Sequence, residues 1–229
     1  RYVAAIRPSK QLNVDELLSL IKDVKNKFGI EQLVIAPSTE FLNRFLIDNR
    51  NPFESIGCTI PIVAKELYEK ISDKLSFSRL CQAHGIAIPG EISIHDVAQL
   101  PVVAKPKRYF SSTGEVLTPM IISDQNELEQ FTLKWQEDDF YIQQYIAGES
   151  YYLLYYFHRN GMIYKFSQQN IAQQPGGKSI VAAVSSDIHQ SQISTPFENL
   201  FRSLNYFGFV MVEIKRMQNQ YYMIEANPR

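Results

Sequence analysis

Three oxygen-bearing side chains stand close together near the end of this sequence. Glu213 lies in the apolar run Gly208-Phe-Val-Met-Val-Glu-Ile, and Glu225 and Asn227 lie in Tyr222-Met-Ile-Glu-Ala-Asn-Pro-Arg229. Both runs read as β-strands joined by a tight turn around Gln218-Asn219. Alternation along a strand puts Glu225 and Asn227 on one face. If the loop has an odd number of residues, pairing Met217 with Tyr221, Glu213 lies directly across from Glu225. Two carboxylates at cross-strand distance repel, and only a proton or a cation relieves that. Carboxylates plus an amide oxygen, with no His or Cys nearby, suit a hard divalent ion, Mg2+ or Mn2+, whose coordination phosphate oxygens complete. The competing reading is a solvated hairpin whose charges face water, and the apolar residues flanking Glu213 argue against it.

Two lysines could supply positive charge. Lys74 falls in the first turn of a helix opened by Ser72-Asp-Lys-Leu, where the macrodipole disfavours a cation unless an anion meets it. Lys105 ends the strand Pro101-Val-Val-Ala-Lys105-Pro106, and an ammonium at a strand end is a charge fixed at a defined point. The polar stretch that follows carries Ser111, Ser112, Thr113 and Gly114 in succession, whose amides and hydroxyls can wrap a triphosphate. In Gln173-Gln-Pro-Gly-Gly177-Lys178-Ser179, paired glycines allow close backbone approach, and Lys178 could meet an acid substrate or a γ-phosphate. Surface lysines and a plain glycine turn are the competing readings.

The elements that must position these groups are legible in outline. Tyr2 to Ile6 is a short strand. Asn13-Val-Asp-Glu16 is a capping box opening a helix with Val14, Leu17, Leu18, Ile21, Val24 and Phe28 on one face, ended by Gly29. Gln32 to Ala36 is a buried strand, and the helix from Ser38 turns Phe41, Leu42, Phe45 and Leu46 inward until Asn51-Pro52 breaks it. Cys58 to Val63 is the next strand. This βαβα order predicts a parallel sheet, without the Gly-rich turn of a dinucleotide site. Phe77, Leu80, Cys81 and His84 form the apolar face of the helix after Ser72, which Gly85 stops. Val116 to Ile122 is a strand, and Asp124-Gln-Asn-Glu127 caps a helix running through Leu128, Phe131 and Trp135. Phe140 to Glu149 is extended. Tyr151 to His158 and Met162 to Gln168 form a hairpin around Asn160-Gly161. Seven aromatics between Tyr151 and Phe166 read as sheet packing. Ile180 to Val184 is a strand, and Pro196 to Phe207 is a helix with Phe197, Leu200, Phe201 and Leu204 inward.

Five segments in order, Asp73-Lys74, Val103-Ala-Lys105-Pro106, Ser111 to Gly114, Gln143 to Glu149, and Glu213 with Glu225-Ala-Asn227-Pro-Arg229, resemble the ATP-grasp superfamily. That superfamily includes carboxylate-amine ligases such as D-alanyl-D-alanine ligase, and carbamoyl phosphate synthetase. The fold implied is α/β (α+β). A small parallel-sheet domain over 1–65 precedes a first lobe with a phosphate loop over 66–140. A second lobe over 141–229 carries the adenine hinge and the metal hairpin, both lobes having mainly antiparallel sheets. The resemblance puts Lys74 and Lys105 on ATP phosphates under a flap containing Ser111, Ser112 and Gly114. It puts Gln143 near the exocyclic amine of adenine and the backbone of Gln144 and Ile146 on the adenine edge, and leaves the ribose to Glu149 or Ser150. Glu213, Glu225 and Asn227 hold Mg2+ (or Mn2+), and Arg229 meets the transferred phosphoryl group or acyl phosphate, with Lys178 as a second catalytic candidate. The implied chemistry is activation of a carboxylate by ATP for attack by an amine. The alternatives are a regulatory nucleotide-binding module and a carboxylase or phosphotransferase on the same fold. Relatives run on past this last motif, so the resemblance implies a domain shortened at its C-terminus, with a homodimer among the assemblies it allows.

Composition sets the remaining bounds. With 229 residues, 45% of them hydrophobic, the chain can bury a full core. Its 23 Lys and Arg against 24 acids give a net charge of -1, no reason to invoke nucleic acid or an anionic membrane. The partners expected are small molecules. No apolar run is long enough to span a bilayer, and two cysteines make neither a disulfide framework nor a metal spacing, which fits a reducing cytoplasm. His84, His95, His158 and His189 match no ligand spacing.

Overall fold

The computed structural model describes residues 12–107, 111, 114–136, 138–174 and 180–229. The strand expected over Tyr2 to Ile6 lies outside them. Helix α1 (Val14–Phe28) starts at the Asn13 cap, whose side chain accepts the Glu16 N–H, and ends at Gly29 in the left-handed conformation at φ 62°. Strand β1 (Leu33–Val34) pairs in parallel with β2 (Cys58–Thr59), so the small parallel sheet is present, in shorter strands than expected. Between them stand α2 (Glu40–Asp48) and α3 (Arg50–Ser55). Two local expectations are corrected here. Phe41 is 68% exposed, leaving Leu46 and Asn43 as the buried residues of α2. Pro52 does not end helical structure but sits in the first turn of α3, where a missing N–H costs nothing.

A helix that the sequence reading passed over, α4 (Lys65–Ser72), buries Tyr68 and Ile71. It runs into α5 (Lys74–Ala83) through Asp73, whose carboxylate caps Ser76 N–H at 2.7 Å. Phe77 and Cys81 of α5 are buried in the same core as the larger sheet, with Phe77 stacked on Phe201 at 5.9 Å.

The smaller antiparallel sheet has the order β3-β6-β4-β5, from β3 (Glu91–Ile92), β4 (Val102–Pro106), β5 (Met120–Ile122) and β6 (Phe140–Gln144). The expected strand from Val116 is therefore only three residues long. Helix α6 (Gln125–Lys134) packs Leu128 with Val102, Ala104, Phe140 and Ile142 in a core of their own. The larger antiparallel sheet has the order β11-β10-β7-β8-β9. It comprises β7 (Glu149–Phe157), β8 (Ile163–Gln173), β9 (Ile180–Ser186), β10 (Gly208–Met217) and β11 (Gln220–Pro228). One face of it, with Leu153, Tyr155, Phe157, Val210, Val212 and Ile214, packs on Phe197, Leu200 and Phe201 of α7 (Ser194–Ser203). Of the seven aromatics, Tyr151, Tyr155 and Phe157 are core, whereas Tyr164 and Phe166 are 56% and 50% exposed. Among the described residues no helix is long and apolar enough to cross a membrane.

Candidate active site between the two sheets

The hairpin of β10 and β11 closes differently from the sequence expectation, yet arrives at the same acid pair. Met217 pairs with Gln220, so the turn has two residues, with Gln218 at φ 56°. Carried on unchanged, that register would set Ile224 opposite Glu213. A bulge between Glu213 and Ile214 takes up one extra residue of β11, and Glu213 pairs with Glu225. The extra residue, Ile224, has its carbonyl turned to Lys105, whose ammonium donates to it at 3.0 Å. One irregularity thus pairs the acids and joins the two sheets.

The charges around this pair are matched in a specific way. Lys74 Nζ lies 3.1 Å from Glu225 Oε2, and Asn227 Nδ2 donates to Glu225 Oε1 at 2.9 Å. Burial pushes the Glu225 carboxyl up, but Lys74 and the Asn227 amide hold it below the usual carboxylate range. Glu213 goes the other way. Its burial and the charge of Glu225 raise it, although Ser150 Oγ donates to Glu213 Oε1 at 3.0 Å. Ser150 Oγ in turn accepts from Asn170 Nδ2 and Gln173 Nε2. Lys105 is 6% exposed, and desolvation, helped by the charge of Lys74, lowers it to about 8 against the partial opposition of Glu225 and Glu213. Two facing acids and an amide, with an ammonium already drawn to one of them, are a donor set that a hard divalent cation fits. Among the described residues no group of three or more His, Cys, Asp or Glu is gathered, so the amide is needed to make up this set.

On the opposing small sheet, Lys105 pairs with Tyr141 and Val103 with Gln143, which sets Lys105, Tyr141 and Gln143 on one face. Tyr141 and Gln143 are buried, and among the described residues Tyr141 Oη and Gln143 Oε1 have no hydrogen-bond partner. Buried orphan polar atoms on the face that carries Lys105 are groups that a polar ligand can satisfy. Desolvation, with the charges of Glu91, Asp73 and Glu225, pushes the Tyr141 phenol well above its ordinary value, so it stays a donor. The sequence reading did not single out Tyr141. Its signal was available in the alternation Tyr141-Ile-Gln143, which shares the face of the named Gln143.

The other predicted residues are placed as follows. Ile146 is buried and its carbonyl accepts from Lys215 Nζ at 3.5 Å. The Gln144 amide is spent on the Gly90 carbonyl at 2.8 Å. Ser111 is buried, with its hydroxyl accepting the Glu115 N–H, and Gly114 N–H closes the same turn onto Ser111 O. Ser112 and Lys178 lie outside the described residues. Glu149 stands on the face of β7 opposite to Ser150, accepting from Tyr151 Oη and Gln169 Nε2. The structure therefore brings Ser150, and not Glu149, to the acid pair. Arg229 is exposed at the end of β11, with its N–H donating to Phe209 O at 2.8 Å.

A family model described as the ATP-grasp domain matches residues 71–229, the span that contains both sheets and all of these groups. The chain belongs to the ATP-grasp family. Solved ATP-grasp structures superpose on it across nearly its whole length. The biotin carboxylase domain of Hydrogenobacter thermophilus 2-oxoglutarate carboxylase, solved with MgADP, ADP and bicarbonate, has a TM-score of 0.59 at 15% identity over 96% of this chain and 53% of that one. N5-carboxyaminoimidazole ribonucleotide synthetase, in complex with ADP, has a TM-score of 0.63 at 14% identity over 95% and 58%. L-amino acid ligase from Bacillus licheniformis has a TM-score of 0.59 at 16% identity over 95% and 53%. The chain spans about half the length of these proteins. No curated protein matches it in sequence.

Proposed function

We propose that this chain is the nucleotide-binding and phosphoryl-transfer unit of a ligase that uses ATP to activate a carboxylate for attack by an amine. The observation that carries the reading is convergence. The bulged hairpin of one sheet presents Glu213, Glu225 and Asn227, while Lys74 and Lys105 reach the same place from α5 and the other sheet. Such a site holds a polyphosphate and a divalent ion together, which is what transfer of a phosphoryl group requires of a protein. Mg2+ held by the two acids and Asn227 would neutralise charge on the phosphate oxygens. Lys105, fixed on β4, would pair with phosphate, and Lys74 would exchange Glu225 for phosphate as the metal takes its place. Gln143 and the hinge backbone near Ile146 would receive the base.

In the reaction, an oxygen of the acid attacks the γ-phosphorus and the bond from that phosphorus to the β,γ-bridging oxygen breaks, releasing ADP. The amine then attacks the acyl carbon, phosphate departs with the carbon–oxygen bond pair, and the nitrogen loses a proton. Arg229, exposed just past the end of β11, would be the cation that meets the acyl phosphate. The test is ADP and phosphate release with Mg-ATP against a panel of amino acids, bicarbonate and simple carboxylic acids, with and without amines. Release requiring an acid and an amine together supports the ligase. Tight Mg-ATP binding without release under any pairing overturns it in favour of a regulatory module.

A further inference from the structure

The face of the larger sheet that carries the acid pair changes character sharply along its strands. Cross-strand register sorts it into rows. Nearest the hinge, Lys215, Ser150 and Asn170 are aligned. The next row is Glu225, Glu213, Tyr152 and Gln168. Beyond it come Asn227, Met211, Leu154 and Phe166, and then Phe209, Tyr156 and Tyr164. The acids thus sit on a boundary between a polar half that leads back to the hinge and an apolar half that leads away from it.

The apolar half is built and open at once. Tyr156 lies 4.5 Å from Phe209 and 6.2 Å from Tyr164, ring centre to ring centre. Phe209, Phe166 and Tyr164 are 44%, 50% and 56% exposed, and Leu154, Tyr156 and Met211 are half-buried. Lys165, within this stretch of β8, belongs to the opposite face, where it pairs with Glu198 at 2.9 Å. Tyr156 lies four strand steps beyond Tyr152, so the wall extends about 13 Å beyond the acids. Arg229 flanks its far row through the Phe209 carbonyl.

We infer that this wall seats the organic part of the acid that is activated, and that this acid carries an aromatic or large aliphatic side chain. The inference rests on the ligase reading. A nucleotide lying from the hinge to the acid pair directs its γ-phosphate toward the apolar rows, so the group receiving the phosphoryl must lie over Met211 and Leu154. Behind the carboxylate of that acid, Leu154, Phe166, Tyr156, Tyr164 and Phe209 offer rings and methylenes over about 13 Å, with the Asn227 amide and Arg229 confined to the β11 edge. A polar side chain there would give up water without a partner, whereas an apolar one gains roughly 25 cal/mol per Å² buried.

The experiment is steady-state ADP release by the full chain with saturating Mg-ATP and hydroxylamine as the amine. The acids compared are L-phenylalanine, L-leucine and 3-phenylpropionate against glycine, L-aspartate and acetate. The apolar acids should give kcat/KM at least tenfold above the others. Phe166→Ser and Tyr156→Ser should each raise KM for L-phenylalanine about tenfold with little change in kcat, because the contact is made equally in ground and transition states. Release equal or greater with the small polar acids, or KM unmoved in both variants, overturns the inference and leaves the ligase standing. Release with no acid at all while Mg-ATP binds overturns the ligase reading, and this one with it.

Discussion

The charge of the site is concentrated in four side chains, and their coupling can be tested singly. Glu225→Gln keeps the shape and the Asn227 contact but removes the charge that balances Lys74, so Mg2+-dependent nucleotide affinity should fall tenfold or more while the fold persists, as titration calorimetry with and without Mg2+ would read. Lys105 gives a pH dependence whose sign is fixed. Its value is lowered from 10.5 to about 8. Between those limits the unfolded chain binds more protons than the folded one, so this lysine makes stability rise with pH across that window. If Lys105 pairs with phosphate as proposed, nucleotide binding should move the other way, weakening as pH rises through about 8 because the ammonium is lost, and Mg-ATP binding at pH 8 should take up protons. Chemical denaturation and calorimetry in buffers of different ionisation heat would measure the two. In the sequence Glu213 stood out inside an apolar run, Lys105 at a strand end, Lys74 in the first turn of a helix, and Glu225 with Asn227 by alternation along one strand, and the fold gathers these five. Tyr141 and Ser150 were harder to assign, since a tyrosine and a serine inside strands break no pattern, and only the register puts them beside charges.

At the scale of elements, register decides everything and was half legible. Alternation placed Glu225 with Asn227, but a turn of Gln218-Asn219 contains no glycine to announce its length, and the bulge at Ile224 leaves no compositional mark. The acid pairing was conditional on a turn of odd length; the turn has two residues, and the bulge pairs the acids instead. Helix α4 escaped because its buried Tyr68 and Ile71 lie between charges in a stretch of only eight residues. Pro52 was read only as a stop; α2 does end ahead of it, and it also sits in the opening turn of α3. The join between the two sheets is as exacting as the hairpin. A Cβ on Gly148 would fall 1.8 Å from the Arg216 carbonyl oxygen, a backbone atom that cannot give way cheaply. Gly148→Ala should therefore cost about 1–3 kcal/mol and disturb Ile146 beside it. The expected fall in Tm is roughly 2–12 °C for a chain of this size, readable by calorimetry.

For the molecule as a whole, the order of five short segments sufficed to read an ATP-grasp fold, and identities of 14–16% to solved relatives show how little else of the sequence the fold demands. The polar-to-apolar change across the sheet face was not legible, because it is spread over three strands and appears in none of them alone. A site assembled from both sheets also predicts that ligand binding stabilises the whole. Mg-ATP at a hundred times its Kd should add about 2.7 kcal/mol. That corresponds to a Tm rise of roughly 5–11 °C, which neither Mg2+ nor ATP alone should reproduce. The measurement that tests the central claim most directly is trapping of the activated acid: protein, Mg-ATP and a panel of carboxylic acids are incubated with hydroxylamine, and hydroxamate is measured against ADP. The account predicts hydroxamate formed one for one with ADP for at least one acid, and its loss in Glu225→Gln. ADP formed without hydroxamate for every acid, or at the same rate with no acid present, would contradict it.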